Sequence, residues 1–213
     1  VMVYLEDRLR INVPENYSLS GDIKLGICHD CQFIFNISSS EEKNYQEYYT
    51  NLNRHQSRSS LLKKIDNDYF QGVLNYIEVN CGISLSNKKI LDFGSGDKSL
   101  SEIAVMRGAK VADCYDVGDP ALTKNYDIII SLHTFEHILD VRREIQNLSN
   151  HLTEDGVLVI AVPNFLTYTD NYYGPYNHFD LEHINHFTPL SIQFLLIKYA
   201  FKILGLRIGE RFV

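Results

Sequence analysis

The stretch KILDFGSG, residues 89–96, decides the fold of this chain. Its first half is short and mostly apolar, which is typical of a strand that is buried in a parallel sheet. Gly94 and Gly96 follow that strand, and a helix is predicted over 98–107. In doubly wound α/β sheets, ligands bind where such a turn joins a strand to a helix. The stretch therefore predicts an α/β fold whose first turn is a binding site.

Strands and helices alternate after this turn, as they do in parallel sheets that carry helices on both faces. We therefore predict a doubly wound, mostly parallel sheet. The further predicted strands cover 110–115, 126–132 and 157–162, the further helices cover 139–151 and the residues after Thr188, and one or two more strands are predicted over 201–213.

The residues before this sheet are polar and rich in tyrosine. A short hairpin is predicted over 23–35, and a capping-box pattern of Ser39 and Glu42 predicts a helix through about Tyr49. Apolar residues at helical spacing predict a second helix that ends near Gly82. We predict two domains, namely an N-terminal segment with a small helical cap over 1–87 and the parallel-sheet domain over 88–213.

The composition excludes several classes of protein. The chain has 213 residues, of which 45% are hydrophobic and 22% are charged, a balance that excludes collagen, coiled coils and disorder. The formal net charge is −7 and no basic patch is visible, so we expect no nucleic acid as a partner. No apolar run approaches the ~20 residues of a membrane span, and we expect neither membrane insertion nor export. With four cysteines and no export signal, we expect a cytoplasmic protein.

Two adenosine-containing cofactors compete for the glycine turn. Asp116 follows the second predicted strand, where a carboxylate accepts hydrogen bonds from the hydroxyls of a ribose. A dinucleotide-binding turn has the pattern G-x-G-x-x-G, but Ser99 occupies the third position. Asp92 and Asp97 would repel a pyrophosphate, whereas they would attract the sulfonium and ammonium groups of S-adenosylmethionine. The charges therefore favour S-adenosylmethionine over NAD.

Four segments together resemble the class I S-adenosylmethionine-dependent methyltransferases, in particular a small-molecule branch like the bacterial sugar and capsule methyltransferases. The order of the segments along the chain carries the resemblance. It implies a Rossmann-like fold and methyl transfer from S-adenosylmethionine, with S-adenosylhomocysteine as the product. The segments are LDFGSG at 91–96, YDIIISLHTFEHILD at 126–140, LTEDGVLVIAVPN at 152–164 and HINHFT at 183–188.

The same resemblance implies which residues bind the cofactor. The glycine turn holds the methionine end, Asp116 binds the ribose, and residues after the third predicted strand border the cofactor. Two departures are visible: Lys98 stands where the family often has a third glycine, and the link 117–126 is too short for the family's usual helix and strand. The implied cofactor-binding residues are Asp92, Phe93, Gly94, Ser95, Gly96, Asp116, Val117, Leu132 and His133.

Six of the eight histidines lie between residues 133 and 186. Residues His133, Glu136 and His137 lie on one face of a turn by their spacing, a set that is able to hold a divalent metal. We do not favour a metal, because Glu-His is frequent here in class I enzymes that bind none. An imidazole, whose ordinary pKa is about 6.5, instead suits removal of a proton from an attacking hydroxyl. The candidate catalytic bases are His137, His183 and His186.

Further segments are predicted near the site. The aromatic residues and histidines over 168–187 are predicted either to cover the crevice as an acceptor-binding loop or to pack onto the sheet edge. A single C-x-x-C motif at 28–31 lacks the second pair that a structural zinc site usually has. The residues expected either to close over the methionine end of the cofactor or to be solvated are Tyr48, Tyr49, His55 and Ser57.

We therefore expect an enzyme that transfers a methyl group from S-adenosylmethionine to a small-molecule acceptor by in-line displacement. The resemblance alone suggests a hydroxyl of a sugar, or of another capsule or surface-polysaccharide precursor, as that acceptor. Methylation of nitrogen or carbon stays open. Two alternatives also stay open, namely an NAD-dependent oxidoreductase and a non-catalytic protein that binds an adenosyl cofactor.

Overall fold

The computed structural model of the chain describes residues 3–5, 19, 23–51, 60–96, 98–116, 119, 121–170 and 179–208. Two compact units are built from interleaved segments. The parallel-sheet unit comprises Asn53–Thr134, Arg143–Ala161 and Ile203–Val213, and the antiparallel-sheet unit comprises Val1–Leu52, Phe135–Arg142 and Val162–Lys202.

The strands of the described residues are β1 (Val3–Leu5), β2 (Ile23–Ile27), β3 (Ile34–Asn36), β4 (Lys89–Phe93), β5 (Val111–Tyr115), β6 (Tyr126–Leu132), β7 (Leu152–Ala161) and β8 (Asn185–His186). The α-helices are α1 (Glu42–Asn51), α2 (Ser60–Asn75), α3 (Ser99–Met106), α4 (Val141–Asn150) and α5 (Pro189–Lys198). A π-helical turn covers Tyr76–Asn80, and 3-10 turns cover Phe135–His137 and Phe165–Asp170.

The parallel-sheet unit contains four strands in the order β5-β4-β6-β7, all of them parallel. β4 lies between two partners, because its Asp92 pairs with Cys114 of β5 and with Ile130 of β6. Every residue of β4 after Lys89 is buried, as expected for a strand inside an α/β sheet. Parallel pairing brings the carboxyl ends of β4, β5 and β6 to one edge of this sheet, where doubly wound folds bind ligands.

Helices α2 and α3 pack with the strands of this sheet around one apolar core. Burial of one large aliphatic side chain contributes roughly 1.5–3 kcal/mol, so this core provides much of the unit's stability. No helix in the described part of the chain is long and apolar enough to cross a membrane. The most deeply buried core residues are Leu74, Ile77, Leu85, Ile90, Ala104, Ile128 and Ile130.

The antiparallel-sheet unit contains the strands β1-β2-β3-β8 in that order. β2 and β3 form a hairpin in which Gly26 pairs with Phe35. The chain returns much later to add β8, where His186 pairs with Ile34 of β3. A buried cluster of this unit joins the hairpin to later segments and contains Ile23, Leu25, Ile34, Tyr168 and Phe179.

The structure confirms the predicted fold class, a mostly parallel sheet with flanking helices. β4 and β6 have the predicted bounds, and β7 begins at residue 152 rather than 157. α4 begins at Val141, after a 3-10 turn. α5 begins at Pro189 as predicted, and Thr188 caps it by accepting a hydrogen bond from the Ser191 N–H at 3.0 Å.

The predicted C-terminal strand is wrong for the residues that the structure describes. Residues 201–208 lie outside any strand, and Leu204, Leu206 and Ile208 are exposed. Apolar side chains raise β-propensity, but a strand forms only where a neighbouring strand pairs with its backbone groups. The opposite outcome is seen at 185–186, which the sequence analysis assigned to a loop and which the structure pairs with β3.

The two compact units do not follow a single cut in the sequence. α2 lies within the predicted N-terminal cap, 1–87, yet its residues belong to the core of the parallel-sheet unit. β2 and β3 lie in the same predicted segment but belong to the antiparallel-sheet unit. The division of the chain into domains at residue 87 stays a prediction.

Lys98, at the start of α3, has a backbone conformation that suits glycine. Its φ is +66° and its ψ is 6°, in the left-handed region, and its side chain is exposed. A residue with a Cβ loses roughly 1–2 kcal/mol in this conformation, whereas glycine does not. This is the position where the resembling family often has a third glycine.

We expect Lys98→Gly to raise the free energy of unfolding by roughly 0.5–1 kcal/mol, because relief of the strained φ exceeds the entropy that glycine gains in the unfolded chain. Lys98→Ala is the control, since alanine also carries a Cβ and retains the strain. Urea denaturation of both variants provides the measurement. A glycine variant no more stable than the alanine variant would contradict this account of Lys98.

Candidate functional site

The glycine turn after β4 lies at the predicted edge of the parallel sheet. Gly94 and Gly96 have φ values of +81° and +52°, so both adopt the left-handed conformation. A Cβ on Gly94 would overlap the side chain of Thr134, whose hydroxyl donates a hydrogen bond to the Phe93 carbonyl at 3.2 Å. Gly94 is therefore required both for the turn and for close packing against the end of β6.

Asp92 lies under this turn and is only 4% exposed. Its Oδ2 accepts a hydrogen bond from the Ser101 hydroxyl at 3.2 Å. The Ser101 Oγ also lies 3.1 Å from the Cys114 Sγ on β5. The Asp92 carboxylate therefore links the end of β4 to the first turn of α3 by a buried hydrogen bond, which stabilises the glycine turn between them.

Asp116 lies directly after β5 and is exposed. Its Oδ1 accepts a hydrogen bond from the Gly96 N–H at 3.4 Å, and its own N–H donates to Asp119 Oδ2 at 2.8 Å. The contact follows from the register of the sheet, in which Phe93 pairs with Tyr115. The structure thus brings together the acid and the glycine turn, which lie 20 residues apart in the sequence.

The other predicted cofactor residues differ in their surroundings. Phe93 is fully buried and its ring stacks on Tyr115, with centroids 5.5 Å apart. Ser95 and Leu132 are half-buried. Val117 lies outside the described residues, as does Asp97, which follows Gly96.

His133 follows β6 in a left-handed conformation, with φ of +52°. Its N–H donates to the Ala161 carbonyl at 2.9 Å, and its Nε2 lies 3.2 Å from the Tyr69 hydroxyl of α2. Tyr69 is one of the residues whose helical spacing predicts α2, and that pattern gives it no functional role. Spacing alone does not indicate that a helix upstream of the sheet presents a hydroxyl to His133.

A second group of functional side chains lies in the antiparallel-sheet unit. Glu136 and His137 belong to the 3-10 turn Phe135–His137, and His183 comes from the segment before β8. One ligand atom from each of these three side chains lies within 4.8 Å of the others. We call these three residues the imidazole cluster.

One backbone hydrogen bond and the side chain of Asn185 hold the two segments of the imidazole cluster together. The Ile184 N–H donates to the Glu136 carbonyl at 2.7 Å. The side-chain amide of Asn185 donates to the Phe135 carbonyl at 3.1 Å and to the Ile138 carbonyl at 2.5 Å. Asn185 is buried, so its amide fixes the turn without competition from water.

The orientation of His137 follows from its hydrogen bond to Glu182. Nδ1 of His137 lies 2.9 Å from the Glu182 carbonyl oxygen, and a carbonyl only accepts, so Nδ1 carries the proton. The other nitrogen, Nε2, lies 3.9 Å from Oε1 of Glu136. The Glu182 carboxylate in turn accepts a hydrogen bond from the Tyr48 hydroxyl at 2.5 Å.

Burial lowers the pKa of the His137 imidazole below its ordinary value, and the neighbouring Glu136 carboxylate opposes this shift. The ring of His183 lies 4.9 Å from that of His137, and a positive charge on it further disfavours protonation of His137. His137 is therefore a neutral imidazole near pH 7, which is the form that accepts a proton.

His186 has different surroundings from the other two predicted bases. It is 0% exposed, and its Nδ1 lies 3.3 Å from the Tyr168 hydroxyl. Rings of Phe165, Tyr168 and Phe179 contact its own ring. These contacts are those of a packed core histidine, and a buried ring without access to an acceptor does not suit proton removal.

The ligand set that the sequence analysis considered, without favouring a metal, also differs from the observed one. Among the described residues, the group that brings ligand atoms together contains His183 beside Glu136 and His137, whereas the sequence analysis named His133. Spacing along one turn predicted two of the three members. The third comes from a segment 46 residues later in the chain, so no local pattern indicates it.

Two expectations about the N-terminal region remain predictions. Tyr48 is buried and Tyr49 lies edge-on to His137, with ring centroids 6.0 Å apart. His55 and Ser57 lie outside the described residues. Cys28 and Cys31 lie in the turn between β2 and β3.

A family model described as "Methyltransferase domain" matches residues 65–206, more than half of the chain. The chain belongs to this methyltransferase-domain family. A curated relative, the malonyl-[acyl-carrier protein] O-methyltransferase of Bacillus anthracis, is 27% identical over 127 residues. The match covers 54% of this chain and 47% of the relative, so the chain spans about half the length of that protein.

Solved methyltransferase structures are also similar to parts of this chain. An S-adenosylmethionine-dependent methyltransferase from Mesorhizobium loti has 14% identity and a TM-score of 0.47, over 61% of this chain and 81% of that one. The plantazolicin methyltransferase BpumL, solved with a triazolic desmethylPZN analog and SAH, has 13% identity and a TM-score of 0.49, over 75% of this chain and 70% of that one.

We expect His137 to titrate below its ordinary pKa of about 6.5 in an NMR titration of the imidazole resonances, because burial disfavours the charged ring. Glu136→Gln should lower this pKa further, since the variant loses the negative charge that favours protonation. Glu154→Gln is the control, because Glu154 is an exposed carboxylate of β7. A His137 pKa at or above its ordinary value would contradict the effect of burial. A His137 pKa that is higher in Glu136→Gln than in the wild type would contradict the effect of the Glu136 charge.

Proposed function

We propose that this chain transfers a methyl group from S-adenosylmethionine to an oxygen of a small acceptor. Membership of the methyltransferase-domain family supports the reaction class. The observation that carries the proposal is the hydrogen bond between the Gly96 N–H and the exposed Asp116 carboxylate, because an exposed acid beside a glycine turn at the edge of a parallel sheet is suited to bind a ribose.

The residues of this edge fit an adenosyl cofactor. Asp116 is exposed at the end of β5, so its carboxylate is available to the hydroxyls of a ribose. Gly94, Ser95 and Gly96 would lie against the methionine end, and Leu132 and His133 would border the nucleoside. When bound, S-adenosylmethionine supplies an electrophilic methyl group on a sulfonium, which is a good leaving group.

NAD would use the same acid, because Asp116 serves any adenosine ribose. The family match favours S-adenosylmethionine. The helix start favours it too, since Ser99 begins α3 where a dinucleotide-binding turn carries its third glycine. The oxidoreductase alternative therefore has less support than methyl transfer.

We propose that His137 and His183 serve the proton transfer. Nε2 of His137 is the lone-pair nitrogen of a neutral imidazole, and Glu182 fixes its orientation. Such a nitrogen is suited to accept the proton of an acceptor hydroxyl as the oxygen attacks. His186, the third candidate base of the sequence analysis, is fully buried against Tyr168. It is therefore less suited than His137 and His183 to meet an acceptor hydroxyl.

Two resemblances suggest the class of acceptor. The resemblance of the sequence to small-molecule methyltransferases suggests a hydroxyl of a sugar or of another surface-polysaccharide precursor. The name of the Bacillus anthracis relative, an O-methyltransferase of malonyl-[acyl-carrier protein], favours oxygen as the methylated atom and suggests a carrier-bound carboxylate as a second acceptor class. A cytoplasmic location, without nucleic acid or membrane as partner, remains a prediction.

Asp116→Ala should weaken the binding of S-adenosylhomocysteine by roughly 10- to 100-fold, because a hydrogen bond to a charged group contributes roughly 1.5–3 kcal/mol. Isothermal titration calorimetry measures this affinity. Asp155→Ala is the matched control, because Asp155 is an exposed aspartate of β7, and it should bind as the wild type does. Equal affinity of the Asp116→Ala and Asp155→Ala variants would remove the proposed ribose contact.

His137→Ala and His183→Ala should each lower methyl transfer by more than they lower the affinity for S-adenosylhomocysteine. Loss of a general base typically costs on the order of 10²- to 10⁴-fold in rate. Transfer of a labelled methyl group to a panel of nucleotide sugars and malonyl-acyl carrier protein provides the assay, with His151→Ala as the control.

The panel separates the remaining alternatives. Normal turnover in both variants would discard the imidazoles as bases. Binding of S-adenosylhomocysteine with no transfer to any acceptor would favour the non-catalytic binding protein, and binding of NAD alone would favour the oxidoreductase.

A further inference from the structure

The imidazole cluster has the composition of a transition-metal site. Two imidazoles and one carboxylate offer ligand atoms that all lie within 4.8 Å of one another. Glu136 is buried, and His137 and His183 are half-buried. Two histidines and one glutamate are the protein ligands of several zinc sites, which keep a fourth position for water.

The surroundings of His137 match those of a metal-ligating histidine. Its Nδ1–H donates to the Glu182 carbonyl at 2.9 Å, so the lone pair is on Nε2, the nitrogen that lies 3.9 Å from the Glu136 carboxylate. Ligating histidines typically donate their other ring N–H to a carbonyl or a carboxylate, which fixes the ring and its tautomer. The Tyr48 hydroxyl holds Glu182 from the other side.

The two halves of the cluster are already held in place. The Ile184–Glu136 backbone hydrogen bond and the Asn185 side-chain bonds join the 3-10 turn to the segment that carries His183. Asp180 adds a carboxylate oxygen 3.7 Å from Nδ1 of His183. A cation therefore finds a largely preorganised and negatively charged site, so binding requires little rearrangement of the chain.

The donor atoms select the class of ion. Mg²⁺ and Ca²⁺ prefer sites made of oxygen atoms, whereas imidazole nitrogens suit zinc and its neighbours. A mixed set of two nitrogens and one carboxylate oxygen is a ligand set that fits Zn²⁺.

We infer that Glu136, His137 and His183 bind Zn²⁺, and that the bound ion inhibits the enzyme rather than assisting it. The inhibition rests on the proposed function, because a nitrogen that coordinates zinc has no lone pair left to accept the proton of an acceptor hydroxyl. The zinc site itself does not rest on that function. Zinc and the proton of the acceptor compete for the same nitrogen atoms.

Zinc binding is tested by calorimetric titration of ZnCl₂ into chelator-treated protein, with Co²⁺ absorption as a second probe. All variants are made in a C28S/C31S background, since this pair of thiols is an alternative set of zinc ligands. We expect one zinc per chain, with an affinity that falls at least tenfold in both Glu136→Gln and His183→Ala. His29→Ala is the matched control and should bind as the background does.

Folding of each variant is checked by its thermal unfolding, and Glu136→Gln keeps the shape of the side chain, so a loss of binding in a folded Glu136→Gln variant is a loss of ligand. Zinc binding that disappears in the C28S/C31S background, or that is equal in all variants, overturns the site.

Inhibition is tested on methyl transfer by the protein with the C28S/C31S background. We expect zinc to abolish transfer with a midpoint equal to its dissociation constant, and a chelator to restore it. The midpoint should rise at least tenfold in Glu136→Gln. Transfer that is unchanged or accelerated by bound zinc overturns the inhibitory role.

The two proposals fail in different ways. Zinc binding that depends on Glu136 and His183 supports the site whether or not a methyl group is transferred. A protein that binds this zinc but transfers no methyl group overturns the proposed function together with the inhibition. A protein that transfers methyl groups but binds no zinc overturns the site alone.

Discussion

The candidate cofactor site depends on one hydrogen bond, from the Gly96 N–H to the Asp116 carboxylate. Neither residue is placed by its own neighbours. Parallel pairing of β4 with β5 brings the ends of these strands together, and Phe93 pairs with Tyr115 in the last position before the turn. A shift of register by one residue would exchange the faces of β5 and move Asp116 away from the turn. The buried core around β4 therefore fixes the site as well as the fold.

The antiparallel-sheet unit also brings together residues that are distant in the sequence. A short turn with Glu136 and His137 and a distant segment with His183 are joined by one backbone hydrogen bond and by the side chain of one buried asparagine. β8, with two residues, anchors that second segment on β3. Two imidazoles consequently lie side by side with a fixed tautomer on His137. The same preorganisation that would suit a base suits a metal ion, which is why the proposed reaction and zinc inhibition concern the same atoms.

The sequence predicted what local patterns determine. Apolar runs predicted β4 and β6, and the position of Asp116 after a strand indicated its place at the sheet edge. Contacts between distant segments had no such signal. Tyr69 at His133, Tyr48 at Glu182 and Asn185 across the turn each join residues far apart in the chain. Residue type alone predicted neither the burial of His186 nor the absence of a strand over 201–208. Both outcomes depend on which distant segments pack or pair with these residues.

The central claim is that the edge beside Asp116 holds an adenosyl cofactor. A crystal structure of the chain grown with S-adenosylhomocysteine tests it most directly. The account predicts electron density for the nucleoside at the ends of β4 and β5, with both ribose hydroxyls within hydrogen-bonding distance of the Asp116 carboxylate. Density for the nucleoside at another place, with no hydrogen bond between Asp116 and the ribose, would contradict this prediction.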